Sequence, residues 1–213
     1  MALTFYYGSG SPFAWRVWLA LEYKGLAYEH KLLSFSAGDT RTPEFLALNP
    51  RHQVPVIVDD GFSLYESSAI LEYLDDRFPT APWLFPRDVR ARARCRRTVR
   101  EIDAYITSCN ETLVQSVLFT KPESWDEDHI NSAVKEYVVE LSFWESAFDG
   151  EFLCGTLSAA DFTLYPLVAM AERMEMRKPD IGLVAARGPR LRAWMERMRA
   201  LPFFDKTYPP HWR

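Results

Sequence analysis

Cysteine is scarce in this chain. Three residues, Cys95, Cys109 and Cys154, lie far apart among 213 and show no CxxC spacing. That pattern suits neither a disulfide framework nor a zinc cluster, so no metal and a reducing, cytoplasmic compartment are expected. A basic excess is also missing: 25 Lys and Arg face 29 Asp and Glu, a net charge of -4. Neutralising phosphates without regard to sequence needs cationic surplus, so no nucleic-acid partner is expected. No apolar run approaches the ~20 residues of a membrane-crossing helix. The opening Met1-Ala-Leu-Thr-Phe-Tyr-Tyr has no basic stretch feeding an apolar one, so neither a signal peptide nor a membrane partner is expected. There is no internal repeat. What is present is a globular composition, 48% hydrophobic, 15% aromatic and 25% charged, with length for one large domain or two small ones.

Residues 3 to 79 alternate short apolar runs with helical patterns. Leu3 to Tyr7 reads as a strand that stops at Gly8-Ser-Gly-Ser-Pro. A helix follows, with Phe13, Val17 and Leu21 on one stripe and Gly25 as its stop. Tyr28 to Leu33 predicts a second strand and Pro43 to Leu48 a short helix. Val54 to Val58 predicts a third strand, and Asp59-Asp-Gly turns the chain into Phe62 to Tyr65. Ser67 to Phe78 is helical, with Ile70, Leu71, Leu74 and Phe78 on one face. The order βαβαββα predicts a small mixed sheet with helices on both faces. Prolines 79, 82 and 86 mark a linker over 79–86. Beyond it, three apolar stripes predict helices: Val99 to Val117, Tyr137 to Phe148, and Leu191 to Met198. The expected domains are 1–80, α/β, and 87–213, all-helical.

Three constellations can carry chemistry, and each falls at the end of an element. Ser11-Pro12 is a helix-start pair: serine caps exposed amides and proline takes the first helical position. That role leaves a hydroxyl proton to donate, and the helix end adds partial positive charge that favours a thiolate or another anion. In Gln53-Val54-Pro55, a trans proline opening a strand is the default. A cis bond would present the Val54 N–H and C=O to an extended, peptide-like ligand. Glu66-Ser67-Ser68 precedes a helix, where Ser67 is either a cap or a holder of a ligand carboxylate. Glu66 is either merely exposed or the partner of a ligand ammonium. Carboxylate and ammonium on one carbon describe an amino-acid head group.

Taken together, Ser11-Pro-Phe-Ala-Trp-Arg-Val, Gln53-Val-Pro-Val-Ile and Glu66-Ser-Ser-Ala-Ile-Leu-Glu-Tyr-Leu resemble the thioredoxin-like domain of cytosolic glutathione transferases. Phe152-Leu-Cys-Gly-Thr-Leu-Ser158-Ala-Ala-Asp161-Phe resembles the Gly…Ser-x-x-Asp-Phe segment of their helical domain. Ser158 and Asp161 have capping-box spacing there, a fold signature rather than a catalytic site. The resemblance covers nearly the whole chain. It implies a serine-type (theta, zeta or tau-like) enzyme that uses glutathione as cosubstrate, with a thioredoxin-like domain followed by a helical bundle. Ser11 would bond the glutathione sulfur, with Ser9 and Tyr6 as rivals. Gln53 and Val54 would hold the glycyl end and cysteinyl backbone, beside a cis Pro55, while Glu66 and Ser67 would hold the γ-glutamyl head. His52 lies close to that site in sequence and is placed at the glycyl carboxylate.

Trp15-Arg16-Val17 resembles the zeta class, but Pro12, Phe13 and Ala14 replace the zeta Ser-Ser-Cys-Ser pattern, which puts maleylacetoacetate isomerase activity in doubt. A small hydrophobic electrophile is the expected second substrate, with Phe13, Ile106 and Tyr165 as pocket candidates whose helical spacing also suits core. A binding or protein-interaction module without turnover is the alternative. Arginines at 87, 90, 92, 94, 96, 97 and 100 form the strongest charge feature. Pairing with Glu72, Asp75 and Asp76, within the chain or across a two-fold axis, is preferred to a nucleic-acid or membrane patch, and the resemblance implies a homodimer. His129 and His211 stand apart, with no metal spacing.

Overall fold

Alternation along the first strand sets the core of the α/β unit. In the computed structural model, which describes residues 3–212, strand β1 (Leu3–Tyr7) buries Leu3, Phe5 and Tyr7 on one face and leaves Thr4 and Tyr6 on the other. Phe5 and Tyr7 meet Trp18 of helix α1 (Pro12–Tyr23), with ring centroids 6.4 and 4.7 Å apart. Tyr6 faces the opposite way, against Phe45 of α2 (Pro43–Leu48), at 6.1 Å. The sheet is thus covered on both faces. Its order is β2 (Glu29–Leu32), β1, β3 (Val56–Asp59), β4 (Phe62–Tyr65), and helix α3 (Ser67–Arg77) packs beside α1. β1 runs parallel to β2 and antiparallel to β3, which pairs antiparallel with β4. This is the expected thioredoxin-like mixed sheet. The third strand starts two residues later than its hydrophobic run, because Pro55 has no N–H to give a ladder.

A buried ion pair ties α1 to the proline-rich segment. Lys24, 8% exposed, donates from Nζ to the Thr80 and Pro82 carbonyls at 3.2 and 3.1 Å and lies 3.6 Å from Asp75. Asp75 also accepts from the Leu84 amide at 2.8 Å. Burial lowers the Lys24 pKa, partly offset by the Asp75 charge. Asp75, offered from sequence as an arginine partner, is a partner of Lys24. Asp75→Asn leaves that ammonium buried without its counter-charge and should cost roughly 3 kcal/mol in urea unfolding.

The chain forms two compact units, Met1–Arg87 with Pro202–Arg213, and Asp88–Leu201. The tail, grouped by sequence with the helices, therefore belongs to the α/β unit. The helical unit contains α4 (Val89–Ala104), α5 (Ile106–Leu113), α6 (Glu127–Ser146), α7 (Ala159–Arg177) and α8 (Pro189–Arg199). The single stripe from Val99 to Val117 is broken at Tyr105, where the Thr107 hydroxyl takes the Ile102 carbonyl at 3.0 Å, and it ends in a π turn. Within α4, Arg97 pairs with Glu101 at 3.5 Å. At the start of α7, Asp161 is fully buried and accepts from the Leu153 amide, the Ser158 amide and hydroxyl, and the Trp194 indole, all within 3.0 Å. Burial pushes its carboxyl up to about 6, against the pull of those bonds. Cys95 and Cys154, remote in sequence, meet as free thiols; the hydrogen bond between them raises the Cys95 pKa and lowers that of Cys154.

Candidate active site

One row of paired residues explains why three separate sequence segments share a place. Tyr6 pairs with Val56, and Val56 pairs with Tyr65. The residues just beyond that row are the loop after β1, the approach to β3, and the exit from β4. They contain Ser9 and Ser11, Gln53-Val54-Pro55, and Glu66-Ser67. All converge at one end of the sheet.

Ser11 is the N-cap of α1, with extended backbone (φ -70°, ψ 119°), and its Oγ accepts from the Ala14 amide at 3.3 Å. Pro12 follows at the first helical position. The Ser11 hydroxyl proton has no acceptor among the described residues, so the group is a half-exposed donor over a helix N-terminus. Gly10 (φ 84°) occupies a left-handed turn that a side chain would strain. Beneath this loop lies a small hollow lined by residues 7–11 with Trp15, Trp18 and Thr207.

The rival hydroxyls are placed differently. Ser9 Oγ is 2.9 Å from His211 Nδ1 and is already engaged. Tyr6 points to α2, with Lys31 Nζ 5.4 Å from its ring centre, and does not line the hollow. Tyr7 does, and burial raises its pKa, which keeps the phenol protonated. Sequence reasoning missed Tyr7, although the period of two along β1 already placed it on the face of Phe5.

Val54 is buried, and the Val54–Pro55 peptide is cis. Neither the N–H nor the C=O of Val54 has a partner among the described residues. Gln53 is exposed and its carbonyl accepts from the Asn49 side chain at 2.8 Å. His52 is exposed, with φ 48°, and its amide donates to the Asn49 carbonyl at 3.0 Å.

At α3 the structure departs from the capping expectation. Ser67 is the first helical residue rather than the cap, and no side chain caps this helix. Glu66 occupies the cap position with φ 71° and ψ 105°, a conformation that non-glycine residues hold only when their surroundings impose it. Its carboxylate is exposed, and Ser67 is buried with its hydroxyl unused among the described residues. The first amides of α3 are therefore free for an anion, beside a carboxylate free for a cation.

The proposed pocket residues divide. Phe13 is half-buried beside Ser11, with the Arg16 guanidinium 5.1 Å from its ring centre. Ile106 and Tyr165 are fully buried within the helical unit, and the Tyr165 hydroxyl accepts from Arg199 Nε at 3.3 Å. Neither presents surface to a ligand, because both side chains are core. Among the described residues no helix is long and apolar enough to cross a membrane.

Residues 10–77 match the glutathione S-transferase N-terminal domain model, and residues 127–197 match the C-terminal domain model. Glutathione S-transferase A of Pleuronectes platessa is 32% identical over 99% of this chain and 92% of its own length. A probable maleylacetoacetate isomerase of Vibrio cholerae is 33% identical over 98% of this chain and 96% of its own. Among solved structures, a glutathione transferase from Burkholderia graminis with two glutathione molecules bound per subunit has a TM-score of 0.86 at 27% identity. That match covers 97% of this chain and 87% of the other. Whole-length likeness at this level, joined to the mixed sheet and the helical unit, establishes that the chain belongs to the glutathione S-transferase family.

Proposed function

We propose that this chain is a glutathione transferase in which Ser11 stabilises the thiolate of bound glutathione for attack on a small hydrophobic electrophile. The observation that carries the reading is the convergence of unengaged polar groups at one end of the sheet. The Ser11 hydroxyl, the Val54 N–H and C=O, the Glu66 carboxylate, and the Ser67 hydroxyl with the α3 amides match, group by group, what a γ-glutamyl tripeptide offers. Glu66 takes the γ-glutamyl ammonium and Ser67 its carboxylate. Val54 pairs with the cysteinyl backbone as an added strand would. Gln53 and His52 stand at the glycyl end. Glutathione bound to a structural neighbour supports the same cosubstrate.

The sulfur then meets Ser11. A free thiol has a pKa near 8.5, so only a few per cent is thiolate at pH 7. Lowering it by about two units requires about 2.7 kcal/mol. A charge-assisted hydrogen bond and a helix end together supply that amount. The thiol proton leaves to solvent, the sulfur lone pair forms a C–S bond, and the leaving group departs with its electron pair. Ser11 forms no covalent bond.

Isomerisation of maleylacetoacetate is the second reading, favoured by the 33% identity to the Vibrio cholerae protein and disfavoured by Pro12-Phe13-Ala14 after Ser11. A homodimer in the cytoplasm completes the proposal. Calorimetry with reduced glutathione, followed by turnover of an activated aromatic halide and of maleylacetoacetate, separates the readings. Heat of binding with halide conjugation supports the transferase, and isomerisation without conjugation supports the second reading. Binding with no turnover of either indicates a module that holds glutathione without chemistry, and no heat rejects glutathione altogether.

A further inference from the structure

The C-terminal tail reaches the same loop that carries Ser11. Trp15, one turn into α1, donates from Nε1 to the Thr207 hydroxyl at 3.0 Å. Its ring meets Phe204, Tyr208 and Trp212 at 6.0, 5.6 and 5.3 Å. Lys206 pairs with Glu22 at 2.7 Å. Aromatic packing, a buried hydrogen bond and an ion pair thus anchor the tail along α1. So anchored, it lays the His211 imidazole on the loop between β1 and α1, with Nδ1 2.9 Å from Ser9 Oγ. A Cβ on Gly10 would come within 2.9 Å of that ring, so the loop and the imidazole are in close contact. Of the loop's own backbone bonds, one closes it, from the Ser11 amide to the Gly8 carbonyl at 3.1 Å.

We propose that His211 is a positioning residue: through Ser9 it holds the Gly8–Ser11 loop so that the Ser11 hydroxyl stays aimed at the glutathione sulfur. This rests on the serine reading above. Either imidazole tautomer serves, because Ser9 can donate to Nδ1 or accept from it. Nothing in this contact touches Val54, Glu66 or Ser67. Loosening the loop therefore weakens thiolate stabilisation while leaving the grip on the tripeptide in place.

The test uses the full chain and two readouts, kcat against KM for glutathione and the bound thiol pKa from thiolate absorbance. His211→Ala should lower kcat at pH 7 about two- to threefold, the share of thiolate lost. The bound thiol pKa should rise by about half to one unit, with KM within about twofold. His211→Asn, whose amide lies where Nδ1 was, should restore most of the loss. Ser9→Ala should match His211→Ala, and the double variant should be no worse than either single one. Wild-type kcat and thiol pKa in His211→Ala, alongside an impaired Ser11→Ala, would overturn this inference alone. So would a fall in both binding and melting temperature that His211→Asn fails to rescue, since that marks a purely structural tail. If Ser11→Ala itself leaves turnover and thiol pKa unchanged, the serine reading fails and this inference fails with it.

Discussion

Ser11→Ala should fold, bind glutathione within about twofold of wild type, and lose turnover at pH 7 by roughly three- to twenty-five-fold. The direction follows from the two jobs Ser11 does. As N-cap it accepts from the Ala14 amide, and losing a cap costs about 1 kcal/mol of stability, too little to unfold a domain. As donor it supplies the only bond proposed to grow stronger when the thiol ionises. The bound thiol pKa should accordingly rise by one to two units, and the acid limb of the pH–rate profile should move up with it. At pH well above the free-thiol value the variant should approach wild-type turnover, because solution ionisation then supplies the thiolate. A variant equally slow at every pH would mean that Ser11 orients the substrate instead.

The other large effect concerns stability. Asp161→Asn should destabilise the helical unit by about 3 kcal/mol, read as a lower urea midpoint with unchanged slope. Four donors point at this carboxylate from the Leu153 amide, Ser158 and Trp194. An amide keeps the shape but turns one acceptor into a donor, so bonds at one oxygen become donor–donor clashes in a buried site. Asp161 also leaves a pH signature. Its folded-state value, pushed up to about 6, lies above the ordinary carboxylate value near 4. The folded protein therefore binds this proton more readily than the unfolded chain. Its contribution is present in full below about pH 4 and is lost as pH rises through about 6. Wild type should show that slope and Asp161→Asn should lack it.

How far this was legible from sequence depends on the reach of each contact. β1, β4 and α2 lie where alternation, the Asp-Asp-Gly turn and the run from Pro43 to Leu48 predict them, because local pattern and turn chemistry set those ends. β3 begins late because Pro55 lacks the donor that its apolar neighbours imply. The break at Tyr105 is hidden, since the apolar stripe runs through it and a threonine side chain, not a helix breaker, marks the spot. The placement of Ser11, Val54, Glu66 and Ser67 at element ends was readable because each end has its own local signature. The His211–Ser9 contact was not, because it joins residues far apart in the chain that no local pattern links, whereas Tyr7 was readable from the period of two along β1 and was missed.

A crystal structure with reduced glutathione tests the central claim most directly. The sulfur should lie about 3.0 to 3.5 Å from Ser11 Oγ, with the cysteinyl backbone paired to Val54 and the γ-glutamyl head on Glu66 and Ser67. A sulfur bonded instead to Tyr7 or Ser9, or a tripeptide bound away from this end of the sheet, would contradict it.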